Sequence, residues 1–134
     1  MSIKYIEAPD VKKRVDEIAT SLDFTHIVSQ HVSCARSEGS RARHTIARIH
    51  GLGKIWQKIL GLPSCYIIEV ISERYDKLSE EEKEKTLIHE LLHIPKGFSG
   101  GFRPHKGYVN RKTVEKLYIK LQENRKAQNR AFNG

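Results

Sequence analysis

Apolar residues recur every three to four positions in three parts of the chain, and this spacing predicts three helices. The predicted helices cover residues 10–22, about 79–94 and about 110–129. The middle helix has the clearest ends, because Ser79 and Glu82 form a capping box in which Ser79 is the N-cap. It should end at about His93 or Ile94, since Pro95 disfavours helical geometry in the residue before it. We expect this helix to be central to the fold.

Alternating polar and apolar residues, or short apolar runs, predict three strands. The strands cover Phe24 to Ala35, Thr45 to Ile49 and Cys65 to Ile71. A turn at Glu38-Gly39-Ser40 separates the first two, and a short helical turn over Lys54 to Leu60 precedes the third. The order of elements predicts an α+β fold with a small three-stranded sheet backed by helices. We expect residues 1–134 to form a single domain, in which a loop over 95–109 joins the middle helix at about 79–94 to the last helix at about 110–129.

Composition limits the class of protein. A chain of 134 residues with 38% hydrophobic residues is able to bury one core. Its apolar runs are far shorter than a membrane span, and residues 1–7 lack the apolar segment of a signal peptide. We therefore expect a cytoplasmic protein with no membrane partner. Two cysteines exclude a disulfide scaffold or a four-cysteine zinc ribbon. Cys34 and Cys65 should be buried, reduced thiols of neighbouring strands; a disulfide between them is the alternative if those strands pair closely and the source is a hyperthermophile.

The chain is basic, with 24 Lys+Arg against 16 Asp+Glu and a net charge of +8. Residues 101–134 hold nine Lys/Arg and two Glu, which is nearly all of the excess. We expect a solvated helix face there, and a nucleic-acid surface is the alternative. Few aromatic residues lie among the basic ones, which weakens the case for base stacking. Charge is thus a weak indicator of function in this chain.

His89-Glu90-Leu91-Leu92-His93 has the pattern H-E-x-x-H and lies on the predicted middle helix. Two histidines four positions apart leave the same helix face, as two ligands of one metal ion require. Glu90 can reach a water on the metal without binding the metal itself. The alternative is two half-exposed histidines bonded to backbone or carboxylate groups. Because the helix is apolar nearly all round, polar side chains on it need partners, and this favours a metal site.

Catalytic zinc usually takes three protein ligands and leaves one position open, so a third ligand is expected. Ser99 stands where the compact metzincin pattern would have a histidine. We prefer His105, because the glycine-containing loop before it can turn back from the helix end. Glu115 is the alternative ligand, from the last helix; otherwise it orients a ligating histidine or is a surface carboxylate. The alternative for His105 is a solvent-exposed loop histidine that binds no metal.

The H-E-x-x-H segment, together with Phe98-Ser99-Gly100-Gly101-Phe102-Arg103-Pro104-His105-Lys106-Gly107, resembles the core of the zincin metallopeptidases. More narrowly, it is similar to short metallopeptidases of phages and archaea and to SprT-like proteases. In SprT-like proteins, too, a loop after the helix bears a third ligating histidine close to a glycine. The close resemblance covers about residues 79–110.

The resemblance implies a zincin-like fold and one Zn²⁺ per chain. It implies that His89, His93 and His105 hold the zinc and that Glu90 is the catalytic base. The DNA–protein-crosslink role of SprT-like proteins is not implied, because their zinc ribbon or DNA-binding module is missing from these 134 residues.

These observations predict a zinc-dependent metallopeptidase that acts on a peptide or protein substrate. Tyr108, Arg103 and Lys106 are candidate donors to the oxyanion or the substrate. Tyr108 is alternatively a core residue. The substrate should lie extended along a sheet edge, which the sequence does not identify. Two other functions remain open, a basic nucleic-acid-binding protein with a structural or vestigial zinc site and a zinc hydrolase acting on a non-peptide bond.

Overall fold

The computed structural model describes residues 2–99, 101–105 and 107–133. Within this part of the chain, five α-helices accompany one four-stranded sheet. The elements are β1 (Lys4–Glu7), α1 (Pro9–Ser21), β2 (Val32–Glu38), β3 (Ala47–Gly51), α2 (Lys54–Leu60), β4 (Tyr66–Ile71), α3 (Ser72–Tyr75), α4 (Glu80–Leu92) and α5 (Arg111–Asn133). The predicted α+β class is confirmed.

The sheet has the strand order β1-β2-β4-β3. Strands β2 and β4 are parallel, whereas β1 and β3 pair antiparallel at the two edges. The prediction of three strands is wrong, because β1 was missed. Its sequence, Lys-Tyr-Ile-Glu, lacks the apolar–polar alternation that would indicate a strand, because neither face of β1 is buried and all four residues are exposed. Its place in the sheet comes from pairing with β2, for example Tyr5 with Ser37.

The predicted strand over 24–35 is also largely wrong. Strand β2 begins only at Val32, and the residues before it form turns and a single 3₁₀ turn, Ser29–His31. The parallel pairing of Val32 with Tyr66 fixes where β2 begins, and such a contact between distant residues leaves no local pattern. By contrast, α1, α2 and β4 lie within one residue of their predicted bounds.

One face of the sheet packs against helices. Its inward residues include Cys34 and Ile68, which pair across β2 and β4. Helices α1 and α4 contribute buried aliphatic side chains to the same core, and α5 packs against both helices. The largest contributions from these helices are Val11, Val15, Ile18, Leu87, Ile88, Leu91 and Leu121. Burial of this apolar surface is the main stabilising contribution to the fold.

Polar contacts fix the orientation of α4 within the core. Ser79 is its N-cap, and the Ser79 Oγ accepts a hydrogen bond from the Glu82 amide at 3.2 Å. The buried Glu84 carboxylate accepts a hydrogen bond from Arg125 Nη1 of α5 at 2.8 Å, and Arg14 of α1 lies 3.7 Å away. Because the charge of Glu84 is paired on two sides, α4 is held between α1 and α5.

The structure corrects one expectation about the surface. Helix α5 exposes six basic side chains: Arg111, Lys112, Lys116, Lys120, Lys126 and Arg130. Cys34 is buried, which raises the pKa of its thiol to about 12, but Cys65 is half-exposed and not buried as expected. Neither is in a disulfide. In the described residues, no helix combines the length and apolarity needed to cross a membrane.

Candidate metal centre

Helix α4 brings His89 and His93 together. His89 lies in the last turn of α4, and His93 is the residue that caps its C-terminus. Their ring centroids are 5.0 Å apart and their rings nearly perpendicular. Both side chains are partly accessible, while Leu91 and Leu92 between them are buried. The helix therefore fixes two imidazoles at one surface of the core, as their spacing of four residues predicts.

The loop after α4 adds His105 to this pair. The His105 ring centroid lies 5.2 Å from that of His89 and 4.6 Å from that of His93. One nitrogen from each of the three rings lies within 4.8 Å of the others. In the part of the chain that the structure describes, no other group of three His, Cys, Asp or Glu side chains is gathered in this way. Three imidazoles at this separation form a candidate site for one metal ion.

The loop is closed onto the helix by two hydrogen bonds between the same two residues. The Arg103 amide donates to the His93 carbonyl oxygen at 2.7 Å. In return, His93 Nδ1 lies 2.8 Å from the Arg103 carbonyl oxygen, to which it donates. A proton held on Nδ1 fixes the tautomer and leaves Nε2 of His93 free to bind a metal.

Tyr66, the first residue of β4, fastens the same loop to the sheet. Its hydroxyl donates to the Gly101 carbonyl oxygen at 2.9 Å. Its ring makes edge contacts with Phe98 and Phe102, at centroid distances of 5.0 and 5.9 Å. Sequence reasoning missed this residue, because Tyr66 lies 35 positions from Gly101 and looks like an ordinary buried strand residue.

Glu90 follows His89 in α4, lines the same groove and has little access to solvent. The residue is 6% exposed, and burial raises the pKa of its carboxyl to about 7. Burial, followed by the nearby His93 and His105, lowers the pKa of His89 to about 4. A neutral imidazole is the form that binds a metal, and a carboxyl with a pKa near 7 suits a general base.

A groove leads away from His89 and Glu90, with a volume of about 510 Å³. Its walls come from α4, from the start of α5 and from His44 to Ala47, where the edge strand β3 begins. Glu115 lies in this groove, where its carboxylate is 2.8 Å from Lys85 Nζ. Glu115 is thus paired with a lysine and lies outside the group of three histidines.

The candidate oxyanion donors have fewer contacts with the site than the three histidines have. The Arg103 guanidinium lies over the Tyr108 ring, 4.9 Å from its centroid. Tyr108 is exposed, so the alternative that it packs in the core is wrong. Arg103 contacts the site through its backbone, which forms hydrogen bonds with His93. Lys106 lies outside the described residues.

Comparison with known proteins identifies a family that this chain matches. A family model described as "Putative phage metallopeptidase" matches residues 3–124. Comparison with curated proteins and with solved structures gave no match. The matched residues include the sheet, α4, the loop that follows it and most of α5.

Proposed function

Since the chain belongs to this phage metallopeptidase family, we propose that it is a zinc-dependent peptidase in which Glu90 is the catalytic base. The supporting observation is the gathering of His89, His93 and His105 beside a buried carboxylate. We also propose that the domain has a zincin-like fold. Similarity to SprT-like proteases stays a prediction from the sequence.

The residues present fit zinc. Imidazole nitrogen is a preferred zinc ligand, and three protein ligands are typical of catalytic zinc. The His93 tautomer already directs Nε2 away from the backbone, and the low pKa of His89 keeps its ring neutral at pH 7. We propose His105 as the third ligand, because Glu115 is engaged by Lys85.

Bound zinc would supply Lewis acidity, polarising the scissile carbonyl group and lowering the pKa of a water molecule to about 7. Glu90 accepts the proton of the attacking water and donates it to the leaving amine. In the metal-free protein, burial raises the pKa of this carboxyl to about 7. Arg103 holds His93 in position through its backbone. Tyr108 and the Arg103 side chain remain proposed donors to the oxyanion or the substrate.

The substrate is proposed to lie extended along β3. Of the two edge strands, β3 packs beside α4 and borders the groove next to Glu90. An edge strand offers unpaired backbone groups, with which an extended peptide forms main-chain hydrogen bonds. The groove would then receive a side chain next to the bond that is cleaved.

The other functions receive less support. The basic residues of α5 are exposed, but no observation favours nucleic acid as a partner. A non-peptide substrate is disfavoured by the family description, which names a peptidase. Peptide hydrolysis is therefore the function that the site supports best.

The substitution Glu90→Gln tests the proposal. It should leave zinc content unchanged and lower casein hydrolysis by about 100- to 10,000-fold, since the base is removed but the ligands stay. Glu123→Gln, at an exposed position of α5, is the matched control and should keep full activity. Zinc is measured by metal analysis after gel filtration. Full activity of the Glu90 variant, or a wild-type protein that retains no zinc, would contradict the proposal.

A further inference from the structure

Helix α2 turns apolar side chains to the solvent. Ile55, Trp56, Ile59 and Leu60 are between 57% and 73% exposed and line a groove of about 310 Å³. The polar Gln57 faces the chain instead, where its Nε2 donates to the Leu52 carbonyl oxygen at 2.7 Å. Exposed apolar residues at four neighbouring positions are uncommon on a protein that functions without a partner at that surface.

The position of α2 relates it to the proposed substrate edge. Gly51, the last residue of β3, pairs with Tyr66, and only Leu52 and Gly53 separate it from α2. The Tyr66 hydroxyl binds Gly101 of the loop that bears His105. The groove beside Glu90 lies at the other end, where β3 begins. A peptide paired along all of β3 would have this groove at one end and α2 at the other.

The charge around α2 indicates what kind of partner fits. The charged residues of α2 are Lys54 and Lys58, and both are exposed. Residues 50–68, which run from the end of β3 into β4, contain no Asp or Glu. A second copy of the chain would bring the same positive charges face to face, which disfavours self-association through α2. The complementary partner is apolar with acidic residues beside it.

We propose that the α2 face, formed by Ile55, Trp56, Ile59 and Leu60, docks an apolar segment of the protein substrate that is flanked by acidic residues. This inference rests on the proposed function and adds a substrate class to it. Substrates would be unfolded or extended chains long enough to reach from Glu90 along β3 to α2.

A tethered peptide segment suits this face better than a lipid surface does. A peptide already held along β3 brings its adjoining residues to α2 at high effective concentration, so weak apolar contacts suffice. A bilayer would have to be held by the face alone, and even a single myristoyl chain binds membranes only marginally. A short helix with four apolar side chains is therefore a better peptide subsite than a membrane anchor.

The only tryptophan of the chain, Trp56, provides a direct test, because its emission shifts to shorter wavelength when an apolar group covers it. The probes are tryptophan-free peptides. Each contains a segment that wild type cleaves in a peptide library, extended at either end by Asp-Leu-Phe-Leu-Asp or by Asp-Ser-Ser-Ser-Asp. Zinc-loaded Glu90→Gln protein should show a saturable blue shift with an apolar extension at one end and none with the serine extensions.

Kinetics provide the second readout. The double variant Ile55→Gln/Ile59→Gln should raise KM for the apolar-extended peptide by about fivefold, with KM for the unextended peptide unchanged. Ile119→Gln, at a similarly exposed isoleucine of α5, is the control and should change neither KM.

Other results would overturn the inference. These are no emission shift with either extended peptide, equal KM in the double variant and wild type, or a shift only with phosphatidylglycerol vesicles, which would identify a membrane-docking surface. If no library peptide is cleaved, the proposed function fails, and the emission of Trp56 with peptides extended from a casein segment still tests the docking surface.

Discussion

His89 and His93 stand on a helix surrounded by buried residues, whereas His105 stands on a loop whose neighbours Phe102 and Pro104 are exposed. Helix α4 is fixed by its N-cap, by core side chains and by the paired Glu84. The loop is fixed by a few contacts, chiefly those of Arg103 with His93 and of Gly101 with Tyr66.

The helix and the loop therefore differ in how firmly they hold their ligands before metal binds. The helix provides two ligands whose positions hardly depend on the metal, because the core determines them. The loop provides a third ligand whose position depends on a small number of hydrogen bonds. Metal binding and loop order should therefore be coupled, since each favours the other.

Removing a ligand from either part should have the largest effect. His93→Ala and His105→Ala should each weaken zinc binding by about 1000-fold. The lost free energy is roughly a third of a typical free energy of zinc binding. Competition with a chromophoric chelator measures this affinity. Glu115→Ala is the control and should bind zinc like wild type. Loss of zinc in the Glu115 variant with retention in His105→Ala would reverse the ligand assignment.

The metal-free proteins should differ as well. His93→Ala removes the hydrogen bond to the Arg103 carbonyl oxygen and should lower stability, whereas His105→Ala should have little effect because its side chain is exposed. Urea unfolding in the presence of chelator gives the two free energies of unfolding. Equal values would mean that the hydrogen bond between His93 and Arg103 contributes little to stability.

A pH effect tests how closely the core surrounds α4. Burial raises the pKa of Glu90 to about 7, from an ordinary value of 4.5. Between these values the folded protein keeps a proton that the unfolded chain has lost, so this group makes metal-free protein less stable as the pH rises through that window. Above pH 7 the cost is fully present.

Glu90→Gln cannot ionise and should avoid this cost. Its metal-free form should exceed wild type in stability by up to about 3 kcal/mol at pH 8 and by little at pH 4.5. Urea unfolding at both pH values is the measurement. A difference that does not depend on pH would show that Glu90 is more hydrated than its burial indicates.

A smaller change should act on the loop alone. Tyr66→Phe keeps the aromatic ring but loses the hydrogen bond to Gly101, so zinc affinity should fall by about tenfold, within the range seen for groups that position ligands. Tyr108→Phe, which loses an exposed hydroxyl, is the control for zinc affinity. Unchanged affinity in the Tyr66 variant would mean that the loop is ordered without this contact.

The smallest expected effect belongs to the helix. Ser79→Ala removes the N-cap of α4 and should lower the free energy of unfolding by about 1 kcal/mol. Zinc affinity should stay within about twofold of wild type, because the ligands lie at the other end of the helix. Ser99→Ala, on the exposed loop, should change neither quantity. A large loss of zinc affinity in Ser79→Ala would remove the distinction between the two parts.

Local sequence patterns predicted the parts of the site that depend on local structure. The capping box gave the start of α4, and the spacing of His89 and His93 gave their common face. The glycines of the loop allowed a return of His105 to the helix, and the structure brings its ring to this face. Each of these features depends on residues close together in the chain.

Features that depend on distant residues were not predictable in this way. Strand β1 exists through its pairing with β2, and the beginning of β2 is set by Tyr66 of β4. The attachment of the ligand loop by Tyr66 and the position of β3 at the edge beside α4 likewise result from tertiary packing. Neither spacing nor composition contains this information, because pairing partners are chosen from the whole chain.

The reciprocal pair formed by His93 and Arg103 has a consequence for hydrogen exchange. The Arg103 amide proton is protected only while it is bonded to the His93 carbonyl oxygen, that is, while the loop is closed. Zinc should slow its exchange by the same factor by which closing the loop strengthens zinc binding. One backbone amide would thus report metal occupancy without any added label.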